Sequence, residues 1–259
     1  MAPDFSGKTA LITGAGRGIG RALALGLAEA GTGLILLARS AGQLDEARGT
    51  LLARGADAAR IRVIAADLGD EEQRGRAAGT ALEAGRVDIL VNNAATVEPL
   101  GTTAAIPTAE LRRAVELNVI APVALTAAVL PGMLDAGWGR IVNVSSGIVD
   151  RPGSMVGGNA YAATKAALEA HTVNLAAELN GTGVTVNAYR PGGVDTAMQA
   201  WIREQDPDRI GAALHTRFNQ NFTEGALITP ERSAAALIAH LAGDDSGSIW
   251  DVSDASARV

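Results

Sequence analysis

Two residue types that are rare in this chain stand four positions apart. Tyrosine occurs only at Tyr161 and Tyr189, and lysine only at Lys8 and Lys165. Tyr161 and Lys165 open a predicted helix, where residues i and i+4 lie on one face. An ammonium ~4 Å from a phenol favours the phenolate by up to ~4 kcal/mol at an effective dielectric of ~20. The pair predicts a tyrosine with a pKa lowered toward neutrality, acting as a general acid or base; the alternative is an ordinary exposed helix pair.

A glycine-rich turn is the second chemical signal. Residues 13 to 20 read Thr-Gly-Ala-Gly-Arg-Gly-Ile-Gly after a strand-like run. A strand, a tight turn and a helix N-terminus form a pyrophosphate cradle, because glycine lets the backbone approach the anion and free N–H groups face it. The spacing matches neither the G-x-G-x-x-G fingerprint nor a P-loop, so an ordinary glycine-rich turn is the alternative. The predicted cofactor-binding residues of the turn are Gly14, Gly16, Arg17, Gly18, Ile19 and Gly20.

Two arginines favour a phosphorylated dinucleotide. Arg17 lies in the first turn of the helix, where a cation opposes the helix dipole by ~0.3–1 kcal/mol and so calls for an anionic partner. About 20 residues beyond the turn, where an acidic residue would bind the ribose hydroxyls of NAD, the second strand ends in Ala38-Arg39-Ser40. Arg17 and Arg39 suit a 2′-phosphate, which predicts NADP(H) over NAD(H). The alternative is that either arginine is merely solvated.

The elements that must position these residues alternate between strands and helices. Strands are predicted near Thr9–Thr13, Leu34–Ala38, Ile61–Ala65, Ile89–Asn92, Arg140–Val144, Val184–Tyr189 and Ile249–Val252. Helices are predicted at Ile19–Ala30, Gln43–Arg54, Glu71–Ala84, Glu110–Leu130, Asn159–Leu179 and Pro230–Leu241. This alternation predicts one α/β domain over residues 1–259, a three-layer Rossmann fold whose doubly wound parallel sheet of about seven strands has helices on both faces. Residues 193–225 interrupt the alternation of strands and helices, which predicts a mobile substrate-binding loop there.

Composition excludes several classes of protein and site. The chain is 47% hydrophobic and 19% charged, within the globular range. Its net charge of -6 disfavours nucleic acid and anionic membranes as partners. Without cysteine there is no disulfide, thiolate metal site or cysteine nucleophile, and the histidines lack metal-ligand spacing, so no metal is expected. The N-terminus shows no targeting signal and apolar runs fall short of the ~18 residues of a membrane span, so a cytoplasmic protein is expected.

Further motifs follow in an order that points to one family. They are Asp67-Leu68, Asn92-Asn93-Ala94-Ala95, Asn118, Ser145-Ser146 and Pro191-Gly192-Gly193-Val194-Asp195-Thr196. With the glycine-rich turn and the Tyr161/Lys165 pair, these residues make the chain resemble the short-chain dehydrogenase/reductase family, in its short single-domain branch. The resemblance covers nearly the whole chain. Within the family, the chain is similar to members of the 3-oxoacyl-ACP reductase type.

The resemblance implies a role for each matching position. Tyr161 would donate the proton in carbonyl reduction, Lys165 would modify its pKa and bind the nicotinamide ribose, and Ser146 would bond the substrate carbonyl. Asn118 would hold a water that relays protons. The remaining cofactor contacts would come from Asp67 and Leu68 at the adenine, Asn93 and Ala94 at the adenosine ribose and sheet edge, and Pro191, Gly192, Val194 and Thr196 at the phosphate or carboxamide.

The implied activity is an NADP(H)-dependent oxidoreductase that interconverts a ketone or aldehyde with an alcohol. The partners expected are a small-molecule carbonyl or alcohol substrate, with a 3-oxoacyl thioester as one candidate, and a second copy in a homodimer or homotetramer. A non-catalytic dinucleotide-binding sensor or scaffold is the alternative. A nucleotide-sugar epimerase of the same superfamily would require a longer chain.

Three positions depart from the family pattern. Ala95 stands where the family usually has glycine, which adds only a methyl group. The spacing from Ser146 to Tyr161 is slightly long, which leaves the choice between Ser145 and Ser146 open, with Ser146 preferred. The C-terminal segment lacks the usual glycine-rich ending and runs into residues 253–259, so the family's usual interface at the last strand is less certain.

Overall fold

Seven parallel strands form one sheet in the computed structural model, which describes residues 3–254; residues 255–259 of the predicted C-terminal extension lie outside them. The strands are β1 (Thr9–Thr13), β2 (Gly33–Ala38), β3 (Ile61–Ala65), β4 (Ile89–Asn92), β5 (Gly139–Val144), β6 (Val184–Arg190) and β7 (Ile249–Asp251). Their order is β3-β2-β1-β4-β5-β6-β7. All strands therefore end at the same edge, and the order reverses between β1 and β4, where a ligand crevice is expected.

Helices cover both faces of this sheet, which confirms the predicted three-layer doubly wound fold. They are α1 (Gly18–Glu29), α2 (Ala41–Ala53), α3 (Glu71–Glu83), α4 (Thr108–Val115), α5 (Ala121–Asp135), α6 (Asn159–Glu178), α7 (Ala197–Arg203), α8 (Pro207–Ile210), α9 (Ala212–Thr223) and α10 (Pro230–Leu241). One core lies between the sheet and α1, α2 and α10. The other core lies between the sheet and α3, α5 and α6.

The strand sequences explain this double burial. Along β1, Ile12 packs into the first core and its neighbour Leu11 into the second. Along β2, Leu36 and Leu37 divide between the two cores in the same way. Because successive side chains point to opposite faces, a strand covered on both sides needs a continuous apolar run rather than an alternating one.

Helix caps fix where two of these elements start. The Asp70 carboxylate accepts a hydrogen bond from the Gln73 N–H at 2.9 Å. The Gln73 side chain in turn accepts one from the Asp67 N–H at 3.1 Å, one turn before the helix. Thr229 caps α10 by accepting from the Arg232 N–H at 3.2 Å, with a proline following it. Each cap satisfies an N–H that the helix leaves unpaired.

Two segments differ from their prediction. The predicted single helix Glu110–Leu130 is α4 and α5 joined by a π-helical turn at Glu116–Ile120. The predicted loop over residues 193–225 is largely helical, because it contains α7, α8 and α9. These short helices form because Ile202, Leu214 and Phe218 pack into a third apolar cluster. The predicted mobility of this segment remains a prediction.

One helical stretch is long and apolar enough to cross a membrane, which the short apolar runs of the sequence do not suggest. It covers the 28 residues Thr108–Asp135, within which a window of 18 residues has a mean hydropathy of 1.9. Within the fold its second half, α5, contacts α3 and the strands β4 and β5. A core helix of an α/β domain satisfies the same length and composition test, so this stretch is weak evidence for a membrane span.

We predict that replacing Thr229 by alanine lowers the free energy of unfolding by about 1 kcal/mol, because the first turn of α10 loses its side-chain acceptor. Urea unfolding followed by circular dichroism measures the change. Thr229→Ser keeps the hydroxyl and is the matched control, expected to stay close to wild type. Equal stability of Thr229→Ala and wild type would contradict the assigned cap.

Candidate active site

The tyrosine and the lysine meet at the carboxyl edge of the sheet, on the face of α6 that lies against β5. The Lys165 ammonium donates a hydrogen bond to the carbonyl of Val144, the last residue of β5, at 2.6 Å. Its Nζ lies 5.7 Å from the centroid of the Tyr161 ring. Lys165 is 2% exposed, whereas Tyr161 is half-buried. The structure therefore brings the two side chains together as the spacing predicts.

Geometry distinguishes the two serines that the sequence leaves open. The Ser146 hydroxyl lies beside the Tyr161 phenol, whose pKa it lowers as a hydrogen-bond partner, and it accepts from the Ile148 N–H at 3.3 Å. Ser145 is 1% exposed, and its hydroxyl donates to the Glu169 carboxylate at 2.7 Å. Ser146 is thus the serine beside the phenol, while Ser145 is occupied by an internal partner.

The pKa of the phenol shifts in the direction opposite to the sequence prediction. Burial raises the pKa of Tyr161 above its usual value, and the hydrogen bond with Ser146 only partly opposes this. The predicted lowering is therefore wrong for this structure, because desolvation of the phenolate dominates and the Lys165 ammonium bonds to Val144 instead. A phenol with a raised pKa is protonated at neutral pH, which is the state a proton donor requires.

The ammonium shows the complementary effect. Burial lowers the pKa of Lys165 to about 8, and the Glu169 carboxylate opposes that shift. Loss of solvent disfavours a charged amine, and a nearby anion favours it. Lys165 is therefore a cation at neutral pH with a pKa close to the working range.

Asn118 lies in the π-helical turn and is fully buried. Its amide nitrogen donates to the Thr96 carbonyl at 2.8 Å and to the Thr164 hydroxyl at 3.0 Å. Its amide oxygen accepts from the Thr96 N–H at 2.9 Å. These bonds tie the loop after β4 to α6, beside the tyrosine. The side chain acts as a brace in this structure, and the water relay implied by the resemblance remains a prediction.

The glycine-rich turn has the geometry of an anion cradle. Gly14 and Gly18 have φ values of +66° and +52°. A Cβ on Gly20 would lie 2.3 Å from the Gly14 carbonyl oxygen, so only glycine allows this tight approach. The N-terminus of α1 has no side-chain cap, which leaves its N–H groups available to a phosphate. These features fit the pyrophosphate of a dinucleotide.

The loop after β6 meets this turn. A Cβ on Gly18 would lie 3.3 Å from the methyl carbon of Thr196, the residue that precedes α7. Val194 pairs with Ile228 in an isolated parallel bridge, and Gly192 has a φ of +79°. The Pro191 carbonyl accepts from the Ser233 hydroxyl at 3.1 Å. The structure thus brings the predicted contacts from β1 and β6 together at one edge.

Several predicted cofactor-binding residues also serve the fold. The Leu68 side chain is buried in the second core, and the partly buried Ile19 side chain packs against the first. Their contacts with the cofactor remain a prediction. At Gly16 a Cβ would lie 2.9 Å from the Cβ of Gln43, so this glycine permits the approach of α2.

The asparagine predicted at the adenosine ribose braces the glycine-rich turn. The Asn93 amide donates to the Thr13 carbonyl at 2.9 Å. The N–H groups of Asn93 and Ala94 both donate to the Thr13 hydroxyl at 2.9 Å. These donor groups are thus paired with the end of β1, and the contacts of Asn93 and Ala94 with the ribose remain a prediction. One carboxylate oxygen of Asp67 accepts from the Gly69 N–H at 2.9 Å, and the other oxygen has no hydrogen-bond partner within residues 3–254.

Both predicted phosphate-binding arginines are exposed near the turn. Neither guanidinium forms a hydrogen bond or an ion pair with another residue of the described part, 3–254. At the end of β2, Arg39 is followed by Ser40, which caps α2 by accepting from the Gln43 N–H at 3.3 Å. This edge of the crevice therefore carries uncompensated positive charge.

Comparison with known proteins accords with this geometry. A family profile described as short chain dehydrogenase matches residues 8–207. The chain belongs to the short-chain dehydrogenase/reductase family. It is 38% identical over 207 residues to a 3-oxoacyl-acyl-carrier-protein reductase of Pseudomonas aeruginosa, covering 80% of this chain and 82% of that protein. It is 37% identical over 253 residues to the oxidoreductase UcpA of Escherichia coli, covering 93% and 90%.

Solved structures of this family share the whole fold. L-sorbose reductase of Gluconobacter frateurii, complexed with NADPH and L-sorbose, superposes with a TM-score of 0.85 at 28% identity and 97% coverage of both chains. Structural neighbours include complexes with NADP, NADPH and NADH. This dehydrogenase therefore uses a nicotinamide dinucleotide of the NAD(P) type.

Sequence reasoning missed a buried ion pair beside the site. Arg190 at the end of β6 donates from Nε and Nη2 to the Glu169 carboxylate of α6, each at 2.8 Å. The available signal was an acidic residue four positions after Lys165, on the same face of the predicted helix. Across residues 3–254, no three or more His, Asp or Glu side chains cluster as a metal site would require.

The two tyrosines make the phenol titration directly observable. We predict that neither tyrosine of the protein alone titrates near neutral pH, because burial raises the pKa of Tyr161 and raises that of Tyr189 to about 12. NMR of protein labelled with 13C at the tyrosine ζ carbon gives two signals, and Tyr189→Phe identifies the one from Tyr161. A Tyr161 signal with a midpoint near ~7 would contradict the dominance of desolvation.

Proposed function

We propose that this dehydrogenase is an NADP(H)-dependent oxidoreductase that interconverts a ketone or aldehyde with an alcohol. The observation that carries the proposal is the contact set of Ser146, Tyr161 and Lys165 at the end of β5. The dinucleotide supplies the hydride when bound. The glycine-rich turn and the loop holding Thr196 would bind the dinucleotide. The two segments approach each other closely at Gly18, and the N-terminus of α1, which has no side-chain cap, follows the turn.

The protein's own residues handle the proton and the developing charge. Tyr161 gives its proton to the substrate oxygen, since its raised pKa keeps it protonated at neutral pH. Ser146 bonds the same oxygen, where negative charge develops. The Lys165 cation stabilises the phenolate that remains after proton transfer. In the oxidative direction the same groups act in reverse, with the phenolate as base.

An apolar cluster covers the substrate side. Tyr161 packs against a cluster built from the loop after β4, the turn after β5 and the α7–α9 segment. Its buried members include Val97, Ile148, Met155, Ile202 and Phe218. This lining supports a small carbonyl substrate with an apolar substituent, and it favours water exclusion around the reacting oxygen. A 3-oxoacyl thioester is a candidate because of the Pseudomonas aeruginosa relative.

The free arginines support NADP(H) over NAD(H). Arg17 and Arg39 flank the crevice without a carboxylate partner among residues 3–254. A guanidinium binds a phosphate through two parallel hydrogen bonds, which suits the 2′-phosphate.

We propose in addition a homodimer or homotetramer, because the large apolar residues Val173 and Ile249 are 47% and 40% exposed and line one groove beside α6. A cytoplasmic location remains a prediction of the sequence. The complete set of Ser146, Tyr161 and Lys165 gives no support to the non-catalytic alternative.

Tyr161→Phe is expected to lower carbonyl reduction by NADPH by roughly 10²–10⁴-fold, because the proton donor is lost. Binding of NADPH, measured as a rise in melting temperature, is expected to persist. The assay uses 3-oxoacyl thioesters, diketones and cyclic ketones. Tyr189→Phe is the matched control, since it removes the other phenol, and it keeps turnover. Full activity of Tyr161→Phe would overturn the proposed function.

Arg39→Ala is expected to raise KM for NADPH by roughly 10–100-fold and to leave KM for NADH nearly unchanged, because only NADPH carries the 2′-phosphate that a charged hydrogen bond of ~1.5–3 kcal/mol would hold. Initial rates with each cofactor measure the effect. Arg54→Ala, which removes an exposed arginine at the far end of α2, is the control. Equal loss with both cofactors would argue against 2′-phosphate recognition.

A further inference from the structure

A buried carboxylate lies one helical turn behind Lys165. Glu169 follows it by four positions on α6, so both side chains lie on one face. The Glu169 side chain is 6% exposed. A buried charge costs several kcal/mol unless it is paired and hydrogen-bonded. The proposed reaction gives this carboxylate no role so far.

Its partners come from two other elements. The Ser145 hydroxyl, just past the end of β5, donates to it at 2.7 Å. Arg190, the last residue of β6, donates two hydrogen bonds of 2.8 Å from Nε and Nη2. The third nitrogen of this guanidinium pairs with Asp150 in the turn after β5. One carboxylate thus joins α6 to the ends of two neighbouring strands.

Each partner is the chain neighbour of a residue at the site. Ser145 precedes Ser146, which bonds the phenol. Arg190 precedes Pro191, the start of the loop that leads to Thr196. A displacement of the carboxylate would therefore move the serine and the cofactor loop relative to α6. Such a connection sets the mutual position of groups that must meet within a fraction of an ångström.

The charges around Lys165 make the carboxylate electrostatically effective. Tyr161 and Glu169 on α6 are the titratable groups that interact with Lys165. Arg190 from β6 pairs with Glu169 and with Asp150 from the turn after β5. Burial lowers the pKa of Lys165 to about 8, and Glu169 is the anion that opposes this shift. Since Arg190 is shared between two carboxylates, it offsets only part of the Glu169 charge.

We propose that Glu169 is a positioning residue of this dehydrogenase, which fixes the ends of β5 and β6 beside Tyr161 and keeps the Lys165 ammonium charged. Its effect on the reaction rests on the proposed function. Its effect on Lys165 does not, and can be measured in the protein without cofactor or substrate.

The first test is the titration of Lys165 itself. The chain has only two lysines, so Lys8→Arg protein labelled with 13C at the lysine ε carbon gives a single lysine signal. In this background the titration midpoint of Lys165 is expected at about 8. Glu169→Gln is expected to lower it by roughly one pH unit, as loss of a nearby opposite charge does. Glu169→Asp keeps the charge, and Ser145→Ala removes one hydrogen bond only, so both are expected to hold the midpoint.

An unchanged midpoint in Glu169→Gln would overturn the proposal. If that variant does not fold, Arg190→Gln is titrated instead. It leaves the carboxylate and its bond to Ser145 but removes the compensating cation. The Lys165 midpoint is then expected to rise, and a midpoint that does not rise contradicts the proposal.

The second test is the pH profile of carbonyl reduction by NADPH. Reduction needs the protonated phenol together with the ammonium, so activity falls as pH rises through the first of the two titrations. Glu169→Gln is expected to lose activity at a lower pH than wild type. Because its bonds to Arg190 are weakened, it is also expected to stay below wild-type kcat/KM at acidic pH. A purely structural role would lower kcat/KM equally at all pH values, which would contradict the proposal. A wild-type protein without turnover would instead refute the proposed function, while the Lys165 titration still decides the role of Glu169.

Discussion

The buried ammonium of Lys165 is the constraint around which the site is built. Removing such a cation from water is costly, and the protein meets the cost with the Val144 carbonyl at 2.6 Å and the Glu169 carboxylate one turn away. Both partners require that α6 lie tightly against the end of β5. That packing also delivers Tyr161 to Ser146. The reactive phenol is therefore placed by the same contacts that keep a charge inside an apolar fold.

The parallel sheet does the rest of the assembly. Because every strand ends at one edge, the glycine-rich turn after β1 and the loop after β6 meet at Gly18 and Thr196 although they are far apart in the chain. Asn93 and Asn118 each brace a loop, one holding the glycine-rich turn and the other holding Thr96 against α6. Precision at the site thus comes from polar residues behind it.

Sequence reasoning found what depends on local pattern. Apolar runs located the strands, and the rarity of tyrosine and lysine exposed the pair Tyr161 and Lys165. It could not tell that the Leu68 side chain is buried in the second core, because a motif does not specify the direction of each side chain in the loop after a strand. It also predicted a lowered phenol pKa, since Coulomb attraction follows from spacing, whereas the desolvation that dominates depends on tertiary packing. The ion pair of Glu169 and Arg190 joins residues that are far apart in the chain, so the sequence pattern did not predict it either.

The most direct test of hydride transfer with proton donation is to follow the hydrogen itself. The purified protein is incubated with NADPH deuterated at C4 of the nicotinamide and a panel of ketones, and the alcohol formed is analysed by mass spectrometry. The account predicts that wild type forms an alcohol with one deuterium on the carbinol carbon, and that Tyr161→Phe forms roughly 10²–10⁴-fold less of it. Two results would contradict the account. One is alcohol that contains no deuterium whichever of the two C4 hydrogens of NADPH is labelled. The other is deuterated alcohol formed equally well by Tyr161→Phe.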